Sequence, residues 1–225
     1  MKFTNRGKFA IMNSYFRNTG TPTNLYVALL TKQWEVNINN AAAVDKGGGL
    51  VGIPSTAHGF TAGEQIKIED TTSYNGAFIV DPTTTANEIV ITAAYIAEAF
   101  AGTETAHQMP GPDSNVMSDH VEIAAGNGYT AGGYQLNRDN VDFDVLTEDD
   151  ATDQSLIQIL DVVFTASGGN LPASGLGARY AVLTDDNATV SLREIIAYFD
   201  LTADRTVSDT QALTLQDMEL RFNES

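Results

Sequence analysis

Cysteine is absent from this 225-residue chain, so no disulfide can staple it and no thiolate can hold a metal. Histidine is nearly as scarce. His58, His107 and His120 lie far apart in the sequence, and three isolated histidines without a cysteine do not make a zinc site. His58, placed before Gly59, is read as shaping a turn or bonding backbone. No metal, cofactor or catalytic residue is therefore expected. Long apolar runs are missing too: none approaches the ~18 residues that a bilayer span requires. The opening stretch MKFTNRGKFAIMNSYF has neither the apolar run nor the small-residue cleavage site of a secretory signal, and no membrane partner is expected. Positive charge is thin, with 12 bases against 29 acids and a formal net charge of −17. Phosphate binding by counterion release needs clustered Lys and Arg, so nucleic acid is not an expected partner. What the chain does have is apolar residues, 43% of the total, enough for a real core.

The few bases are unevenly placed. Through Lys46 the sequence carries Lys2, Arg6, Lys8, Arg17, Lys32 and Lys46 against Glu35 and Asp45, a net of +4, which leaves −21 for the remainder. A basic N-terminal arm on an acidic body suits a subunit that docks on copies of itself or on an acidic neighbour. The segment Thr4 to Arg17 is the best helix candidate, with Thr4 as its cap. Phe9, Met12 and Phe16 recur at i, i+3 and i+7 and form one apolar stripe, with Tyr15 beside it. Taken alone, such a stripe is read as facing the core. In a docking arm, the contact residues would be Arg6, Lys8, Phe9, Met12, Phe16 and Arg17.

Most of the rest alternates in short strands. LYVALLT (25–31) and ARYAVLTDD (178–186) are apolar on both faces, bounded by turn formers, and read as central strands of one sheet built from both ends of the chain, with a buried helical segment as the alternative that periodicity leaves open. Between them, 65–69, 77–80 and 88–92 form a compact strand series with an Asn75-Gly76 turn. Gly47 to Gly49 lacks a following GK[ST], so a hairpin turn or flexible entry is expected rather than a phosphate loop. Residues 107–118 read as an exit linker. Val121 to Ile123 and Val141 to Val145 are expected as alternating strands, the second apolar in and acid out. One long strand is expected over 156–165. Ser191 to Leu201, read as a strand although REIIAYF within it also tolerates a helix, Leu213 to Leu215 and Met218 to Phe222 complete the series. GNGYTAGGYQL (126–136) departs from dinucleotide-loop spacing, and its glycines are read as a bulge or a sharp corner.

The stretch Asp139 to Asp161 holds eight acids, and no base occurs between Arg138 and Arg179. It lacks the D-x-[DN]-x-[DN]-G template of a calcium hand. Carboxylates for acid–base work meet only in the fold and cannot be picked out by spacing. A solvated acidic face is the plain reading; a non-standard divalent-cation site and paired catalytic carboxylates are the alternatives.

With strands at intervals of about 10–15 residues and no βαβ rhythm, the expected fold is mainly β. It is a β-sandwich or jelly-roll-like body, 1–35 with 110–225, carrying one N-terminal helix and an inserted small β-barrel, 36–109. The order HGFTAGEQIKI, YNGAFIV, NEIVI resembles the small barrel module of ubiquitin-activating enzymes, which recurs inserted in tailed-phage virion proteins. The outer segments, NRGKFAIMNSYFRN, PTNLYVALLT, GNGYTAGGYQL, ARYAVLTDD and IIAYFDLTADRTVSDTQALTLQ, resemble small structural proteins of tailed-bacteriophage virions. That resemblance implies a non-enzymatic subunit, assembled in the host cytoplasm and carried in the virion. Its partners would be copies of itself and other capsid or tail proteins. A cement or decoration subunit on the capsid exterior is the first expectation. A neck, tail or fibre-base subunit, whose barrel contacts another virion protein or a host surface glycan, is the second.

Overall fold

The structure, a computed structural model, describes residues 2–223. The chain begins β1 (Lys2–Phe3), α1 (Asn5–Arg17) and β2 (Asn24–Leu30). It continues through β3 (Gln33–Asn37), β4 (Val44–Gly47), β5 (Leu50–Pro54), β6 (Gln65–Glu69), β7 (Gly76–Ile79), β8 (Glu88–Thr92) and β9 (Thr105–Gln108). After a 3-10 turn at Met117–Asp119 come β10 (Tyr134–Asn137), β11 (Val145–Asp149), β12 (Gln154–Ile159), β13 (Val162–Thr165), β14 (Ala178–Thr184) and a second 3-10 turn at Val190–Leu192. The chain closes with β15 (Ile195–Arg205), β16 (Ala212–Leu215) and β17 (Met218–Asn223). The protein is mainly β, with antiparallel sheets and one α-helix near its N-terminus.

Two compact units divide the chain: 1–31 with 114–225, and 32–113. The sequence reading put the divisions at 35/36 and 109/110. In the structure β3 pairs with β9, Val36 opposite Ala106 and Gln33 opposite Gln108, which brings the whole of β3 into the inserted unit. Met109, Pro110 and Gly111 are buried, so the expected exit linker begins as packed chain.

In the first unit the main sheet has the order β1-β15-β14-β2-β10. The two apolar runs are neighbours at its centre, with Tyr180 opposite Leu30 and Leu183 opposite Val27. Val27 to Leu30 and all of β14 are buried, as a strand covered on both faces requires. A second sheet, β11-β12-β17, and the pair β13-β16 pack against the same core. The expected single strand over 156–165 is therefore two strands in different sheets, parted at Leu160 and Asp161. The segment 121–123 contributes one bridge, Glu122 to Leu30, rather than a strand. The glycine-rich corner is as expected. Gly128 has φ +94°, and a Cβ there would stand 2.0 Å from the Thr165 carbonyl oxygen, so only glycine fits.

The second unit folds around its own core of Ile38, Val51, Ile53, Ile66, Ile68, Ile91 and their neighbours. Two sheets enclose it, β3-β9-β6-β7 and β4-β5-β8, bridged between Val80 and Ile91. Gly48 and Gly49 make the turn between β4 and β5, a hairpin as the sequence suggested. His58 shapes its loop: Nδ1 accepts from the Phe60 amide at 3.0 Å, and Nε2 sits 2.6 Å from the Thr85 carbonyl.

Candidate interaction surface

Helix α1 starts where the sequence places it. Thr4, fully buried, accepts a hydrogen bond from the Gly7 amide on its side-chain oxygen at 2.8 Å and donates the same hydroxyl to the Ile195 carbonyl. Its own amide donates to Ile196 at 3.0 Å. One residue thus caps the helix and ties it to β15. The contact face is the small one. Gly7 is the buried residue of α1, and a Cβ on it would stand 2.0 Å from the Ile196 carbonyl oxygen. Ala10 and Ser14, on the same side at i+3 and i+7, are half-buried.

This overturns the core reading of the large stripe. Phe9, Met12 and Phe16 lie about half a turn from Gly7, where 100° per residue puts them, and are 47, 53 and 78% exposed. Tyr15 is 82% exposed and meets Phe16 edge-on. The physical reason is backbone approach: a helix seated on Gly7 against a strand carbonyl makes its contact through small residues, Gly7 with Ala10 and Ser14, and leaves the large stripe on the opposite side. Lys8 and Arg17 are exposed beside the stripe. Arg6 pairs with Glu194 and stands over the Phe9 ring at 5.3 Å. All six residues singled out from the sequence therefore lie on one helix, its apolar face turned to solvent.

A groove of about 510 Å³ runs beside the helix, walled by Ile11 and Tyr15 of α1 and by Ile157, Leu220 and Phe222 of the β11-β12-β17 sheet. Asp185 and Glu194 reach it. Burial pushes the Asp185 carboxyl up, with backbone amides of Glu194 and Asn187 acting against that. Arg138, also on the groove, donates to the Pro22 carbonyl at 2.6 Å. Of these residues the sequence reading singled out none as functional; they become neighbours only through the pairing of β12 with β17 and the seating of α1.

The acidic stretch divides. Val141 to Asp144 is a turn, not a strand, and the expected sidedness is reversed at its start, where Val141 is 70% exposed and Asp142 8% exposed, but holds at Phe143, which packs on the core, and at Asp144, which is exposed. The inversion follows from hydrogen bonding. Asp142 accepts from the Asn137 amide and side chain, and Asp139 accepts from the amides of 141 and 142. Those carboxylates are engaged in building the turn. Asp149 caps the β11–β12 turn, bonding the Ala151 amide and the Thr152 hydroxyl, which hold its carboxyl below the usual range. Glu148, Asp150 and Asp153 remain exposed at the same end. Among the described residues, no group of three or more His, Cys, Asp or Glu is placed to hold a metal ion, and no helix is long and apolar enough to cross a membrane.

Set against family models, curated proteins and solved structures, the chain matches none.

Proposed function

We propose that the protein is a non-enzymatic structural subunit of a tailed-bacteriophage virion, a cement or decoration protein of the capsid exterior that self-associates and stabilises the shell. The observation that carries this reading is the solvent-facing stripe of Phe9, Met12 and Phe16 on α1. A subunit present in many copies needs apolar surface that a single copy leaves uncovered. Here that surface stands on a helix with three bases and no acid, in a chain of net charge −17, so copies carry both halves of an attractive pair. The segment resemblances to small virion proteins supply the particle. A neck or tail position has support of its own in the second unit, where Trp34, Tyr95 and Ile96 are 58, 43 and 51% exposed. Aromatic side chains of that kind suit contact with another virion protein or a host surface glycan. Immunogold labelling of phage particles with an antibody against the purified chain tests both. Label over the capsid is the expected result; label at the neck or tail selects the second position, and unlabelled particles would contradict a virion role.

A further inference from the structure

The β11-β12-β17 sheet extends its core face beyond its core. Along β12 and β17, Ile159 and Met218 are fully buried; the next pair on that face, Ile157 and Leu220, lines the groove. Across from Ile157 on the edge strand stands Leu146, 76% exposed, and beyond Leu220 stands Phe222, 45% exposed. Residues opposite one another in a ladder share a face, as do residues two apart. One apolar surface therefore runs from the core out into solvent. At its outer end lie Glu148, opposite Ser155 on that same face, and Asp150 in the adjoining turn, both exposed. Arg221, the base in this sheet, is paired with Glu219.

We propose that this acidic, apolar sheet face receives helix α1 of a second copy of the chain, and that the two copies do so reciprocally about a two-fold axis. The inference deepens the self-association read above and rests on it. The surfaces match in kind: aromatic and basic on the helix, aliphatic and acidic on the sheet. Phe9, Met12 and Phe16 of one copy cover Leu146, Ile157 and Phe222 of the other, while Lys8 and Arg17 face Glu148 and Asp150. The groove is walled by Ile11 and Tyr15 of α1, on the side of the helix away from the stripe; a two-fold operation that seats the stripe of each copy on the sheet face of the other pairs both surfaces at once, as an isologous interface requires. An edge strand carrying an exposed leucine beside acids is also what a specific, non-aggregating interface uses.

Charge reversal tests this without needing the partner in advance. One variant carries Lys8→Glu and Arg17→Glu; the other carries Glu148→Lys and Asp150→Lys. All four side chains are exposed, and Asp149, which caps the turn, is left intact. Each variant alone is expected to lose dimerisation at least tenfold by sedimentation equilibrium, with an unchanged circular dichroism spectrum. Mixed one to one, they are expected to regain the dimer, because every helix then meets a sheet of opposite charge. If the helix variant dissociates while the sheet variant dimerises normally, the docking surface lies elsewhere; this inference fails, and self-association through α1 stands. A native chain that stays monomeric at all concentrations overturns both. Two monomeric variants that fail to recombine also overturn this pairing.

Discussion

At Gly7 the backbone of α1 meets the backbone of β15, and the absence of a side chain is what permits it. Gly7→Ala therefore sets two effects against each other. Intrinsic propensity favours alanine in a helix by about 1 kcal/mol, whereas forcing a methyl into a filled contact costs about 1–3 kcal/mol or more. With the Ile196 oxygen 2.0 Å from the new Cβ, the steric effect wins, and the urea midpoint is expected to fall; a rise would mean the helix is not seated as described. His120 gives a pH signature. Burial holds its pKa down at about 4 against an ordinary 6.5, with Asp119 opposing, and the ring lies 2.8 Å from the Ser114 hydroxyl. Between those values the unfolded chain binds a proton that the folded one refuses. Stability is thus full above about pH 6.5 and declines toward pH 4, by at most about 3 kcal/mol. The carboxylates held low, Asp81, Glu104 and Asp149, act in the same sense but only at more acid pH. Denaturant titrations at pH 7, 5.5 and 4.5 should show the decline, and His120→Gln should flatten it.

For the single helix, stability and association separate. Phe16→Glu changes a side chain that is 78% exposed, so the folding free energy should move within about ±0.5 kcal/mol while self-association is lost; a large loss of stability would place Phe16 in a core after all. The same helix shows what could be read in advance. Its start was legible because Thr4 is a strong cap, and its end falls at Arg17 as read, closed by Asn18 in the left-handed region. Its orientation was not, because a hydrophobic stripe signals the core only when size decides the contact, and here Gly7 and a strand carbonyl decide it. Strands apolar on both faces, β2 and β14, were legible as buried segments, and their shortness and β-branched content favoured strand over buried helix, which periodicity alone does not separate. Alternation misled at Val141 and Asp142, where Asp139 and Asp142 bond local amides and turn one acid inward. The sheet face opposite α1 was illegible, since Phe222 lies far along the chain from Leu146 and Ile157 and only ladder register unites the three.

The whole molecule carries two separate cores, one in each unit. Ile91 is fully buried in the second, and Ile91→Ala should cost about 2–5 kcal/mol there. Calorimetry is expected to show one transition lowered and the other held, as for domains that unfold as units; a joint shift would mean the cores unfold as one. Acidity has a role at this scale as well. In the proposed assembly the strongly negative bodies repel one another except where the base-only helix offers an attractive contact, so assembly should weaken as salt screens that contact. The central claim is that α1 turns its aromatic stripe outward to bind another copy. Its most direct test is the solution mass by light scattering across a concentration series, for the native chain and for a Phe9→Glu, Phe16→Glu variant. The expected result is a native mass rising to twice that of one chain while the variant stays at one; a native chain that remains monomeric throughout, or a variant that assembles as well as the native protein, would contradict it.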